Sequence, residues 1–245
     1  MPNNWSAPQR PAIYAEQALI NAILDGTYPP GSTLPGERDL AVQLGVTRPT
    51  LREALQRMER DGWISIQQGK PTHVRDIWTE GGLNVLSSLA RYGYQGFEGH
   101  IPFDFIPRLL EVRLALAPAY ARAAAVCDDN HPLIDYLNTH IDLDDTAEAY
   151  ARFDWQLHHR LTVAACNPIY TLILNGFAEL YAAMARIYFA QPEARGASSR
   201  FYTRLLDAIR QGDAAAAETI TREVMAESLV LWETARRGEE PSQRI

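Results

Sequence analysis

The stretch from Glu37 to Arg60, E-R-D-L-A-V-Q-L-G-V-T-R-P-T-L-R-E-A-L-Q-R-M-E-R, limits what this 245-residue chain can fold into more than any other. Leu40, Ala41 and Leu44 put one apolar face on a short helix, and Gly45 permits a sharp turn that a β-carbon would crowd. Thr47 predicts the N-cap of a second helix, because its hydroxyl can accept an orphan amide of the first turn. Pro49 fits just inside that helix, where its missing N–H has no intrahelical partner. Leu51, Ala54, Leu55 and Met58 follow at i, i+3, i+4 and i+7. That stripe packs inward and leaves Arg48, Thr50, Arg52, Gln56 and Arg57 mostly outside.

Two such helices have the layout of a helix-turn-helix whose second member enters the DNA major groove by its N-terminal end. Arginine there can grip guanine O6 and N7 with two hydrogen bonds, while threonine and first-turn amides can hold phosphate. The plainer alternative is a helical hairpin with solvated arginines, and the flanking sequence decides between them. Upstream, Ala15, Ala18, Leu19, Ala22 and Ile23 define an amphipathic helix that ends at Asp25-Gly26, before Tyr28-Pro29-Pro30-Gly31. Downstream, Asp61-Gly62 stops the chain, Trp63 to Gln67 reads as a strand, Gln68-Gly69-Lys70-Pro71 as a turn, and Thr72 to Arg75 as a return strand. Three helices and a hairpin make a winged helix, with the wing at about 63–75. Its Gly-Lys tip can approach a phosphate backbone closely.

Charge sharpens the division of the chain. Residues 1–78 hold eight Arg/Lys and eight Asp/Glu, which leaves 15 of the 23 basic and 22 of the 30 acidic residues for 79–245. The net charge of −7 therefore belongs to the second part, and the neutral first part can bind DNA if its cations share a face. Two copies in a dimer would be needed for useful affinity. Beyond Ile77-Trp78-Thr79-Glu80-Gly81-Gly82, a plausible junction, only helical patterning appears. The stretches are Leu83 to Arg91, Phe103 to Val126, Pro132 to Thr139, Ala147 to Cys166, Ile169 to Ala190, Ser199 to Gln211 and Ala214 to Arg237, with breaks that include 93–102, Asn167-Pro168 and Gln191-Pro192. The expected fold is mainly α: a winged helix-turn-helix domain at 1–78 and an all-α helical bundle at 79–245. No apolar run matches a membrane span and no leader pattern opens the chain, so a cytoplasmic protein is expected. Cys127 and Cys166 lack CxxC spacing and read as buried small hydrophobes.

The runs P-P-G-S-T-L-P-G-E-R-D-L-A and G-V-T-R-P-T-L-R-E-A-L-Q-R-M-E-R-D-G-W resemble the GntR superfamily of bacterial transcription regulators. Further runs, I-Q-Q-G-K-P-T-H-V, G-L-N-V-L-S-S-L-A-R, C-N-P-I-Y-T-L-I-L-N-G and Y-F-A-Q-P-E-A-R, look like its acyl-CoA-responsive branch, which acts in fatty-acid metabolism. The resemblance covers about residues 10 to 235. It implies DNA contacts at Arg38, Thr47, Arg48, Thr50 and Arg52, with Gln68, Gly69 and Lys70 at the wing tip. Pro49 stands where a threonine is usual and Gln68 where a histidine is usual. Pro49 has neither hydroxyl nor N–H, so operator preference is expected to differ in detail.

The same resemblance implies a homodimer on a palindromic operator, with long-chain acyl-CoA as the effector, and neither cofactor nor membrane. It further implies repression of fatty-acid degradation and activation of unsaturated fatty-acid synthesis. An acyl-CoA site requires an apolar tunnel plus cations or helix N-termini for the phosphates. The matching positions are Arg113, Tyr181, Tyr188, Tyr202, Ser228 and Trp232, although tyrosine and tryptophan on helices also serve as core residues with a hydrogen-bonded tip. Met225, where the family pattern has glycine, is expected to narrow the pocket.

A related subfamily holds a metal through Asp-x3-His and two more histidines. Asp154 and His158 have that spacing, but the other ligand positions are Tyr202 and Val224. Two ligands are too few for a closed site, so the pair reads as structural or pocket-lining, and His159 as a surface residue. Two rival functions stay open on the sequence: a regulator answering a carboxylate metabolite through a metal, and a metal-dependent enzyme built on Asp154 and His158. No nucleophile motif or phosphate loop supports catalysis.

Overall fold

The computed structural model describes residues 10–91 and 105–238. The break expected at 93–102 lies outside the described residues. Contacts divide the chain into two units, the second beginning at Phe103.

In the first unit, helix α1 (Pro11–Leu24) packs against α3 (Arg48–Asp61), with α2 (Glu37–Gln43) between them in sequence. Leu19, Ile20, Leu40, Leu51, Ala54, Leu55 and Met58 are buried, so the apolar stripes form one core. Gly45 takes φ 66° in the turn between α2 and α3. Thr47 Oγ1 accepts the Thr50 amide at 3.3 Å, which makes it the N-cap of α3, and Pro49 lies in the first turn. Gly62 ends α3 at φ 97°, where its amide and that of Trp63 both return to the Met58 carbonyl.

The wing is shorter in regular structure than the sequence predicts. β1 (Ile64–Ser65) pairs antiparallel with β2 (His73–Val74), in the register Ile64 with Val74 and Ser65 with His73. The other flank of β2 is covered by the segment that follows the two prolines. Gly31 N–H donates to the Val74 carbonyl, Val74 N–H to Ser32 and Leu34 N–H to Thr72, each at 2.9 Å. The proline turn thus delivers a third chain to the edge of the hairpin. Helix α4 (Ile77–Glu80) occupies the expected junction, capped by Asp76.

Helix α5 (Leu83–Arg91), expected in the helical domain, packs with the first unit instead. The reason is Trp63. Its ring is fully buried and its Nε1–H donates to Ser88 Oγ at 2.6 Å, while Ser88 Oγ–H donates to the Val85 carbonyl.

The second unit is entirely helical among its described residues: α6 (Phe105–Ala125), α7 (His131–Asn138), a 3-10 turn (Thr139–Asp142), α8 (Ala147–Ala164), α9 (Pro168–Gly176), α10 (Ala178–Phe189), α11 (Pro192–Arg210) and α12 (Ala214–Gly238). α12 runs along α6 and α11, and α8 packs on α6, α9 and α10. Phe153, Leu157, Leu161, Phe189, Phe201, Tyr202, Leu205 and Ile209 form the centre of the core. Three sequence expectations change here. The helix expected over Ile169 to Ala190 breaks at Phe177, the residue after Gly176. α11 starts at Pro192 rather than Ser199, because proline is tolerated at the first helical position. Cys166 is exposed and Cys127 half-buried, so neither is a core residue. Cys166 takes φ 56°, the left-handed turn that ends α8, and Asn167 then caps α9 through the Ile169 amide at 3.1 Å.

Ser88→Ala should leave the Trp63 N–H buried without its acceptor, at a cost of about 1–3 kcal/mol to the first unit. Urea denaturation followed by fluorescence checks this. An unchanged transition would mean that the bond does not hold α5 in place.

Candidate DNA interface and effector cleft

The start of α3 gathers Thr47, Arg48, Thr50 and Arg52 on one solvent-facing end. Arg48 and Arg52 are exposed, and Thr47 Oγ1 and Thr50 Oγ1 lie 2.8 Å apart. Arg38, on α2, is also exposed. Glu37, the first residue of α2, places a carboxylate among them: its Oε2 accepts from Arg52 Nε at 2.7 Å and lies 3.9 Å from Arg48 Nη2. Sequence reasoning gave Glu37 no role, and a carboxylate 15 positions before Arg52 carries no local signal. At the wing tip Gln68, Gly69 and Lys70 are exposed. Lys70 N–H closes a turn onto the Gln67 carbonyl at 3.1 Å, with Gly69 at φ 74°, and Lys70 Nζ donates to Gln67 Oε1 at 2.9 Å. A side chain at position 69 would strain that turn.

The second unit contains an open cleft walled by α6, α8, α9, α10 and α12. Leu109, Leu116, Ile173, Leu174, Phe177 and Met184 supply apolar wall. Of the six residues that the resemblance implies, Arg113, Tyr181, Tyr188, Ser228 and Trp232 line the cleft, as do Asp154 and His158. Tyr202 does not. It is fully buried behind the wall, and its hydroxyl donates to Asp154 Oδ1 at 3.1 Å. Met225 also lies outside the lining and packs in the core, so it does not narrow the cleft as expected.

Asp154 organises the polar side of this cleft. Its Oδ2 accepts from Tyr181 at 2.6 Å and from Arg113 Nη2 at 3.2 Å, and Arg113 also lies over the Tyr181 ring. Burial alone would raise the Asp154 carboxyl. His158, Arg113 and the Tyr181 and Tyr202 hydroxyls outweigh it and hold the group below its ordinary value. Burial likewise pushes His158 down to about 4, Asp154 pulling it upward and Arg113 pressing it further down. The imidazole is therefore neutral at neutral pH. Its Nε2 stands 3.7 Å from Asp154 Oδ2 and its Nδ1 2.6 Å from the Tyr120 hydroxyl. We assign the proton to Nε2, facing the carboxylate, with Tyr120 donating to Nδ1.

Both Asp154 oxygens and His158 Nδ1 thus already hold hydrogen bonds. Among the described residues, no group of three or more His, Cys, Asp or Glu side chains is gathered as a metal site. The charge of Arg113 is balanced by Asp154.

Residues 13–74 match the model for bacterial regulatory proteins of the gntR family, and residues 75–243 match the FadR C-terminal domain. The chain belongs to the FadR-type branch of the gntR family. It is 40% identical over 226 residues to the fatty acid metabolism regulator protein of Shewanella pealeana, covering 92% of both chains. To the protein of the same name from Shewanella denitrificans it is 45% identical over 197 residues, 80% of this chain and 79% of that one. The fold is shared with a solved Listeria monocytogenes protein, Lar, described as controlling expression of the agr system: TM-score 0.56 at 17% identity, covering 95% of this chain and 99% of that one. FadR-type gntR proteins are DNA-binding transcription regulators, so the enzyme reading of Asp154 and His158 is set aside. Among the described residues no helix is long and apolar enough to cross a membrane.

Because His158 titrates near 4 when folded and near 6.5 when unfolded, the unfolded chain binds more protons between those values. Stability should be fully present above about pH 6.5 and fall as pH drops toward 4. His158→Gln should flatten that fall, measured by urea denaturation at a series of pH values. An identical pH dependence in the variant would remove His158 as its source.

Proposed function

We propose that this chain is a homodimeric, ligand-controlled regulator of fatty-acid metabolism that binds a palindromic operator and is released from it by long-chain acyl-CoA. The observation that carries the ligand class is the apolar cleft of the second unit, walled by five helices and open at its mouth. That shape suits a long alkyl chain joined to a large polar carrier. Relatives at 40% and 45% identity are called fatty acid metabolism regulator proteins, which supports the metabolic assignment.

On DNA, the α3 N-terminus supplies Thr47, Arg48, Thr50 and Arg52, and α2 supplies Arg38. Arg48 and Arg52 read base edges. Thr47, Thr50 and the Arg48 amide meet phosphate, and Gln68, Gly69 and Lys70 follow the backbone from the wing. A neutral unit of this kind gains affinity by acting twice, and a two-fold dimer matches a palindrome. Acyl-CoA binding selects a dimer geometry that no longer spans both half-sites. Linkage then requires operator DNA to weaken acyl-CoA binding by the same factor. Repression of degradation genes and activation of unsaturated fatty-acid synthesis genes complete the reading.

A gel-shift on a palindromic duplex, selected from random sequence with the full chain, tests both halves. Oleoyl-CoA should release the DNA, and a complex that persists in saturating oleoyl-CoA would reject the effector. Arg48→Ala or Arg52→Ala should weaken operator binding by roughly 1–3 kcal/mol per half-site. Lys70→Ala should instead weaken all sequences alike and reduce the salt slope by about one unit. Loss confined to one base position would contradict the phosphate role.

A further inference from the structure

The chain has two cysteines, and they meet. Cys127 follows the end of α6 and Cys166 the end of α8, and each amide closes the last turn of its helix. Cys127 N–H donates to the Ala124 carbonyl at 3.4 Å, and Cys166 N–H to the Val163 carbonyl at 3.3 Å. Both side chains line a second pocket, which shares no lining residue with the effector cleft and takes Leu133, Val163 and Ala164 as apolar wall. There the Cys166 thiol is in contact with the Cys127 thiol.

The backbone singles out the same position. Cys166, at φ 56°, is the one residue other than glycine with a positive φ among the described residues, in a region that a β-carbon disfavours. Such strain persists where the surroundings hold it, and Asn167 caps α9 directly afterwards. The two thiols are therefore placed by helix ends and not by a loop free to swing. His159 and Asp129 line the same pocket, yet among the described residues no group of three or more metal-binding side chains gathers. The chemistry that two thiols in contact share is oxidation to a disulfide.

We propose that Cys127 and Cys166 form a reversible disulfide when the protein meets a hydroperoxide, stapling the end of α6 to the end of α8. The exposed Cys166 reacts first. Its sulfur bonds to one oxygen of hydrogen peroxide, the O–O bond breaks, and a sulfenic acid and one water result. The Cys127 sulfur then displaces the hydroxyl from Cys166 as a second water. Two thiols have lost two hydrogens and two electrons, and the peroxide has been reduced.

The Cys166 thiol is raised above its ordinary value, chiefly by its contact with Cys127, with Asp128 and Asp129 adding to it. At neutral pH the attacking sulfur is mainly protonated, so the staple should form slowly and faster as pH rises. α6 carries Arg113 and α8 carries Asp154, so the bond holds together two walls of the cleft. It also closes a loop containing α7 and α8. That loop restricts the unfolded chain, so oxidation should stabilise the second unit.

The test treats the reduced full chain with hydrogen peroxide, counts free thiols and compares urea unfolding before and after. The count should fall from two to none, with the mass lower by two hydrogens and the chain still single on a non-reducing gel. The unfolding midpoint should move to higher urea, and dithiothreitol should reverse every change. Cys127→Ser keeps Cys166 without its partner; it should gain oxygen in place of losing hydrogen and show no such shift. Thiols that stay free in a peroxide excess that oxidises glutathione would overturn the inference, as would a product joined between two chains. A disulfide formed within one chain that leaves the midpoint unmoved would overturn the staple as well.

Discussion

The second unit depends on one buried carboxylate. Asp154 on α8 is 4% exposed and is met by Arg113 from α6, Tyr181 from α10 and Tyr202 from α11. A charge in that position is tolerable only because a cation and two hydroxyls converge on it, and removal of one of them would strand the rest. The cluster therefore joins four helices by directional bonds where apolar packing alone would let them slide. It also sets the polarity of the cleft, because the cation a ligand might have used is already balanced.

This dependence explains what was legible beforehand. The winged helix could be read because its signals are local: a stripe at i, i+3, i+4 and i+7, a capping threonine three residues before the amide it accepts, a glycine where φ turns positive. Asp154 finds its partners 41, 27 and 48 residues away, and no periodicity announces such meetings. The resemblance placed Arg113, Tyr181, Tyr188, Ser228 and Trp232 on the cleft without saying what each would touch there. Arg113 turned out to face a carboxylate, Tyr202 to stand behind the wall, and Met225 to lie in the core.

The misplaced boundaries have similar causes. Gly81-Gly82 reads as a junction, but the tie from Trp63 to Ser88 crosses it and is invisible to a pattern search. The break at Phe177 follows a glycine inside a stretch whose apolar pattern runs on without pause, so periodicity predicts one helix where there are two. That break brings Phe177 to the cleft wall together with residues from both halves.

Glu37 carries a consequence for how such a molecule would search a genome. Its carboxylate holds Arg52 at 2.7 Å and draws on Arg48, so the arginines proposed to read bases are not idle charges in the free protein. Phosphate alone offers each arginine little more than Glu37 already does, whereas a correctly placed guanine offers two directed bonds. Such a reading head would hold loosely to arbitrary duplex and let go quickly. It would settle only where the base pattern displaces the carboxylate, so that short residence on wrong sites becomes a property of α2 rather than of the helix in the groove.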